Sequence, residues 1–113
     1  MSKRDQYLYI EDIKTSLRKI EEYTKNIGLS EFMQDEKPID AVLRNLTVIG
    51  EAAKNISQEI KFAHPHIPWE EIVGMRNKVI HEYFGVDEMI LWKTIQEDLP
   101  TLEKQISEIA KTR

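Results

Sequence analysis

The chain has 113 residues, a net charge of −4 and no cysteine. Its length fits one domain with one hydrophobic core, predicted to span residues 1–113, and 41% hydrophobic with 32% charged residues excludes a disordered chain. The lack of cysteine excludes a disulfide framework and thiolate chemistry, and a cytoplasmic location is expected. No apolar run is longer than residues 7–10, so neither a signal peptide nor a membrane-spanning helix is expected.

The negative charge is unevenly distributed along the chain. Residues 54–81 carry +1 with histidine counted as neutral, and the remainder carries −5. An acidic chain is not an obvious nucleic-acid binder, and this stretch is the exception within it. Chance scatter of surface charge explains the pattern equally well.

The first predicted helix ends at Gly28, which is placed as the residue that caps its C-terminus. The apolar positions of this helix advance in steps of three and four, with threonine as the one weak position: Ile10, Ile13, Leu17, Ile20, Thr24 and Ile27. Phe32 and Met33 follow as isolated apolar anchors in a short polar stretch.

The second predicted helix has the most regular pattern. Its apolar positions step by three and four without a gap: Ile39, Val42, Leu46, Ile49, Ala53, Ile56 and Ile60. Asp35 or Lys37 is predicted to start the helix, with Pro38 in its first turn. Gly50 allows another backbone to approach this helix closely.

A rigid His-Pro-His-Ile-Pro break at residues 64–68 precedes the third predicted helix. Pro68 suits the first helical position, and the helix is expected to run from residue 69 to about residue 83, where Gly85 closes it.

The last predicted helix begins after Asp87 as its N-cap, with Val86 and Leu91 forming a hydrophobic staple around the cap. Its apolar positions are Leu91, Ile95, Leu99, Leu102, Ile106 and Ile109. Pro100 lies inside this stripe and is expected to kink the helix without ending it. Amphipathic helices with short joins favour an all-α, up-and-down bundle of about four to five helices.

The residues best suited to chemistry lie between Arg76 and Tyr83. A histidine can take up and return a proton near neutral pH, and an arginine grips phosphate oxygens through two parallel hydrogen bonds. On a continuous helix Asn77 and His81 share a face, whereas Arg76 and His81 lie about 140° apart around the axis. A local irregularity, or a second copy of the chain across a twofold axis, is needed to bring the last two together.

Spacing alone leaves other roles open. A histidine near a helix end is more often a cap or a surface group, an arginine more often an ion-pair partner, and Tyr83 more often part of a core or interface. Arg76 and His81 also fit a buried polar network at a dimer interface.

A zinc site built from His64, His66 and His81 is a further interpretation, which the absence of an acidic or cysteine partner nearby in the sequence disfavours. Trp69, Trp92 and Met75 are interpreted as core or dimer interface, and not as platforms for stacking bases.

Several segments, in order along the chain, resemble a known protein family. These segments are residues 41–46, 49–53, 67–69, 74–77, 81–87, 92 and 98–100. With the Arg-x4-His-x-Tyr pattern of Arg76, His81 and Tyr83, they are similar to the HepT-like toxins, a branch of the HEPN ribonucleases. The resemblance covers most of the chain, and no motif position departs from the pattern.

The resemblance implies a helical-bundle homodimer that cleaves RNA without a metal ion or a cofactor, at a cleft on the dimer axis. It implies that His81 is the general acid/base and that Arg76 stabilises charge on the phosphate. Asn77 is expected to orient the phosphate or the histidine, and Glu51 is expected to hold Arg76 in place.

The resemblance also implies a partner, a minimal nucleotidyltransferase antitoxin similar to enzymes that attach AMP to the tyrosine corresponding to Tyr83. AMP there would add negative charge and bulk close to Arg76, and both effects oppose RNA binding. The alternative is a non-catalytic HEPN-type helical module that binds nucleotides, RNA or a partner protein without cleavage.

Overall fold

The computed structural model of the chain describes the backbone of residues 5–81 and 85–112 and the side chains of residues 5–80 and 85–109. Its elements in chain order are α1 (Gln6–Thr24), α2 (Leu29–Gln34), α3 (Glu36–Lys54), α4 (Gln58–Ala63), α5 (Trp69–Val73), α6 (Met75–Val79), β1 (Ile80–His81), β2 (Gly85–Val86), α7 (Glu88–Lys93), a π-helical turn (Thr94–Asp98) and α8 (Leu99–Thr112). The predicted all-α class is confirmed, since the strands in the described part of the chain form only one hairpin, with two residues in each strand.

The body of the fold is α1 packed against α3 and α8, with α5 and α6 lying on α3. The predicted apolar stripes supply this core, and the fully buried members include Ile13, Leu46, Ile49 and Ile106. No helix in the described part of the chain combines the length and the hydropathy of a membrane span.

Two predicted N-caps are confirmed. The carboxylate of Asp35 accepts a hydrogen bond from the backbone N–H of Lys37 at 3.0 Å, and that of Asp87 accepts from Ile90 at 3.0 Å. A side-chain acceptor at this position satisfies one of the unpaired N–H groups of the first turn, which fixes where α3 and α7 begin.

The first helix is shorter than predicted. It ends at Thr24, whose hydroxyl donates to the carbonyl of Ile20 at 2.8 Å, and Gly28 is not a C-cap but the N-cap of α2. The chain turns because Phe32 is fully buried, with its ring 5.1 Å from that of Trp92, while Met33 is exposed. Burial of one aromatic side chain thus creates a short helix where only a polar stretch was expected.

The second helix also ends earlier than its stripe suggests. The helix is interrupted at residues 55–57. Ser57 then caps α4, because its hydroxyl accepts a hydrogen bond from the backbone N–H of Ile60. Ser57 also donates its backbone N–H to Gln6 at 2.6 Å, which ties the break to the start of α1. Ile56 remains buried after the break, so the apolar spacing continues although the helix does not.

The prediction that Pro100 does not end the last helix is confirmed. The helix is irregular one turn before Pro100, where the N–H of Leu99 donates to the carbonyl of Thr94 in the π-helical turn. A proline ring clashes with the carbonyl four residues before it in an α-helix, and the wider turn relieves that clash.

Candidate active site

The helix predicted for residues 69 to about 83 is not continuous. It is divided at Gly74 into α5 and α6, and it changes to an extended strand at Ile80, whose φ and ψ are −110° and 124°. Gly74 serves both pieces, because its N–H donates to Glu70 and its carbonyl accepts from Lys78. The expectation that Asn77 and His81 share one helix face is therefore wrong, since His81 is in β1.

The strand that carries His81 belongs to an antiparallel hairpin. Ile80 pairs with Val86 and His81 with Gly85, and the N–H of Asp87 donates to the carbonyl of Val79 at 2.7 Å. Gly85 has a φ of +76°, a conformation that costs a residue with a Cβ, so this glycine shapes the hairpin and does not close a helix. The hairpin fixes the backbone of His81; its side chain and Tyr83 lie outside the described parts.

Arg76 and Asn77 are presented to solvent by the residues on either side of them. Met75 and Val79, four residues apart on one face of α6, are 8% and 0% exposed and anchor this short helix in the core. Arg76 and Asn77 lie between them and are exposed. Within the described residues the guanidinium of Arg76 makes no ion pair or hydrogen bond, so it is available to an anionic ligand.

Glu51 lies on α3 close to the junction of α5 and α6. A Cβ on the preceding residue, Gly50, would lie 3.0 Å from the carbonyl oxygen of Val73, so α5 sits directly on α3 there, as the small residue predicted. Glu51 is exposed, and among the described residues no ion pair joins it to Arg76. Its role in holding Arg76 stays a prediction.

The other histidines make contacts away from this segment. His66 lies 3.7 Å from Glu108, and the carbonyl of His64 accepts a hydrogen bond from the Trp69 indole at 3.1 Å. No three His, Cys, Asp or Glu side chains converge as metal ligands within the described residues. Trp69 is 8% exposed and forms part of the core, as interpreted from the sequence.

An ion pair that no sequence pattern indicates connects α6 to the π-helical turn. The ammonium nitrogen of Lys78 lies 3.8 Å from a carboxylate oxygen of Asp98. The two residues are twenty positions apart and belong to different predicted helices, so periodicity carries no signal for their contact. Only the tertiary fold, which places α6 beside the π-helical turn along one groove, brings them together.

The model of the HepT-like ribonuclease family matches residues 13–109. The chain belongs to this family. A protein of Thermococcus cleftensis named a probable ribonuclease HepT is 47% identical over 109 residues, covering 96% of this chain and 99% of its own. A protein of Methanocaldococcus jannaschii, provisionally named an RNase, is 42% identical over 94% of this chain and 97% of its own. A protein of Caldanaerobacter subterraneus, also provisionally named an RNase, is 45% identical over 89% of this chain and 90% of its own. No solved structure matches the chain.

Family membership confirms the resemblance found in the sequence, and it supports a ribonuclease as the enzyme class. The matched region contains every residue predicted for the site, from Glu51 to Tyr83.

Proposed function

We propose that this protein is a metal-independent endoribonuclease toxin that acts as a homodimer and uses Arg76 and His81 on one RNA phosphodiester. The observation that carries the proposal is the exposed guanidinium of Arg76, which has no ion-pair or hydrogen-bond partner among the described residues. It lies on an anchored helix immediately before the strand of His81, in a chain of the HepT-like ribonuclease family. A permanently charged, planar donor presented in this way suits a phosphate group.

The chemistry uses the nucleophile that RNA carries. His81 takes the proton of a 2′-hydroxyl, the 2′-oxygen attacks phosphorus, and the bond from phosphorus to the 5′-oxygen breaks as that oxygen receives a proton. The products are a 2′,3′-cyclic phosphate and a 5′-hydroxyl. Arg76 stabilises the negative charge that grows on the phosphate oxygens, and Asn77 orients the phosphate or the imidazole.

A homodimer supplies two copies of each group to one cleft. In the strand, His81 no longer follows the helical path of Arg76, so the angle of about 140° expected on a continuous helix no longer separates the two residues. A twofold axis beside α6 lets the arginine of one protomer act with the histidine of its partner. Glu51, exposed beside the α5–α6 junction, is proposed to orient Arg76 in that assembly.

Regulation is proposed to act through Tyr83. A minimal nucleotidyltransferase antitoxin transfers AMP to its hydroxyl, and the added phosphodiester competes with RNA for the guanidinium of Arg76. With the partner and ATP, the wild type should gain AMP and lose cleavage, whereas Tyr83→Phe should keep cleaving. A Tyr83→Phe protein fully inhibited through the partner's catalytic activity would contradict this step.

The proposed activity is tested with purified protein and end-labelled RNA in excess chelator. The wild type should cut and leave 2′,3′-cyclic phosphate ends, while Arg76→Ala and His81→Ala should each cut at least about 100-fold more slowly. Arg44→Ala on α3 is a matched control, because its side chain is exposed and lines a groove between α1 and α3, away from α6. Cleavage that stops in chelator, or that survives both site substitutions, would refute the proposal.

A further inference from the structure

The two flanks of α6 carry different cations. Successive helical residues are about 100° apart around the axis, so Arg76 and Lys78 lie on opposite sides of Asn77. Because Met75 and Val79 point into the core, both flanking side chains are directed sideways along the protein surface. The helix therefore presents one positive charge on each side of its exposed face.

The flank of Lys78 faces a groove of about 350 Å³ between α5, α6 and the C-terminal helical stretch. Lys78 contributes to its wall together with Met75, Asp98 and Leu102. In this groove the Lys78 ammonium is 3.8 Å from the Asp98 carboxylate, and the two side chains are 63% and 54% exposed. Exposed ion pairs of this kind contribute little net stability, so a competing anion can separate them.

Within the described residues Lys78 has an ion-pair partner and Arg76 has none. The Asp98 carboxylate thus occupies the position that a phosphate oxygen would take beside Lys78. Asp98 is the last residue of the π-helical turn that precedes Pro100. The hydrogen bond from the N–H of Leu99 to the carbonyl of Thr94 closes this turn and holds the backbone of Asp98 in place.

We infer that Lys78 is a second phosphate-binding residue of the site, and that Asp98 competes with RNA for it. This inference rests on the proposed ribonuclease function. Arg76 contacts the scissile phosphate, and Lys78 contacts a neighbouring phosphate of the same strand on the other flank of α6. RNA binding exchanges the Lys78–Asp98 pair for a Lys78–phosphate pair, so Asp98 lowers the affinity for RNA.

Binding is measured with a short, fully 2′-O-methylated single-stranded RNA, which lacks the attacking hydroxyl and is not cut. Lys78→Gln should weaken binding several-fold at low salt, and the slope of log K against log salt should become shallower by about 0.7, the value for one phosphate contact on a single strand. Asp98→Asn should strengthen binding several-fold. Both variants should melt at the wild-type temperature, since both side chains are mostly exposed.

Matched controls separate this contact from a general effect of charge. Lys25→Gln and Glu103→Gln make the same changes in net charge, and both residues line a different groove, between α1 and α8. Neither control should change the salt slope. The decisive comparison is the double variant, in which the gain from Asp98→Asn should vanish once Lys78 is glutamine.

Three results would overturn the inference: an unchanged slope in Lys78→Gln, an equal gain in Glu103→Gln, or a gain from Asp98→Asn that persists without Lys78. These results differ from failure of the proposed function. A wild type that binds the 2′-O-methylated RNA with the expected slopes but cuts no RNA would refute the activity alone. A wild type that cuts RNA while Lys78→Gln keeps the wild-type slope would refute only the assignment of Lys78.

Discussion

The helix α3 and the segment from Trp69 to His81 look alike in the sequence but fold differently. Each was predicted to lie in one continuous helix, yet α3 runs unbroken from Glu36 to Lys54 while the segment divides into two helices of five residues and a strand. Long-range packing with α1 supports α3 along its length. The segment is held by a few buried side chains, such as Met75 and Val79, and by individual hydrogen bonds, such as that from the N–H of Asp87 to the carbonyl of Val79.

Under the proposed function, stability and chemistry are carried by different parts of this fold. Regular hydrogen bonds and a buried stripe make α3 a rigid support. Interrupted helices cost regular hydrogen bonding, and in exchange they allow Arg76 and His81 to leave a common helical path. Substitutions in the two regions should therefore separate loss of folding from loss of cleavage.

The largest expected effect is a loss of folding stability on substitution in the core of α3. Leu46→Ala removes a fully buried side chain from α3 and should lower the free energy of unfolding by about 2–5 kcal/mol. Cleavage per folded molecule should stay at the wild-type rate, as measured by chemical denaturation alongside an RNA assay. Val48→Ala on the exposed side of the same helix is the control and should cost far less; equal losses would mean that α3 is not buried as described.

A smaller effect is expected where the two regions touch. Gly50→Ala puts a Cβ 3.0 Å from the carbonyl of Val73, a backbone atom that cannot move without shifting α5 and α6. The cost should be about 1–3 kcal/mol in stability, with a fall in cleavage rate because Arg76 moves with α6. Gly28→Ala is the matched control, since no atom lies within 4 Å of its added Cβ. Similar effects at both glycines would contradict the close contact.

The smallest effect on folding is expected in the hairpin. Gly85→Ala forces a Cβ onto a φ of +76° and should cost about 1–2 kcal/mol, while cleavage falls by up to about 100-fold because the strand of His81 is displaced. Gly74→Ala serves as the control, because its φ is −91° and its Cβ meets only an ordinary contact at 3.6 Å. Unaltered cleavage by Gly85→Ala would show that the hairpin does not position the histidine.

The sequence predicts the parts of this fold that local chemistry determines. Asp35 and Asp87 are caps because a short acidic side chain reaches its own helix's first N–H groups. The ends of α1 and α3 were missed because apolar spacing continues across them, as at Ile56. The broken site segment was missed for a different reason, since the pairing of Ile80 with Val86 competes with helix formation only after the chain has turned back.

For the site, the sequence identified Arg76 and its neighbours by chemistry and resemblance, but not their arrangement. The exposure of Arg76 depends on the burial of Met75, which was interpreted as core or interface, and of Val79, which was not predicted. The contact between Lys78 and Asp98 depends on how α6 packs beside the π-helical turn, which no local pattern encodes.

The central claim is that the protein cuts RNA through the 2′-hydroxyl, with Arg76 and His81 acting on the same linkage. The most direct measurement maps one bond that the wild type cuts in chelator and then replaces the nucleotide on its 5′ side with its 2′-deoxy form. The wild type should no longer cut that bond, while it still cuts the neighbouring bonds. The His81→Ala protein should fail to cut even the unaltered bond. Cleavage of the 2′-deoxy bond at the original rate would contradict the account.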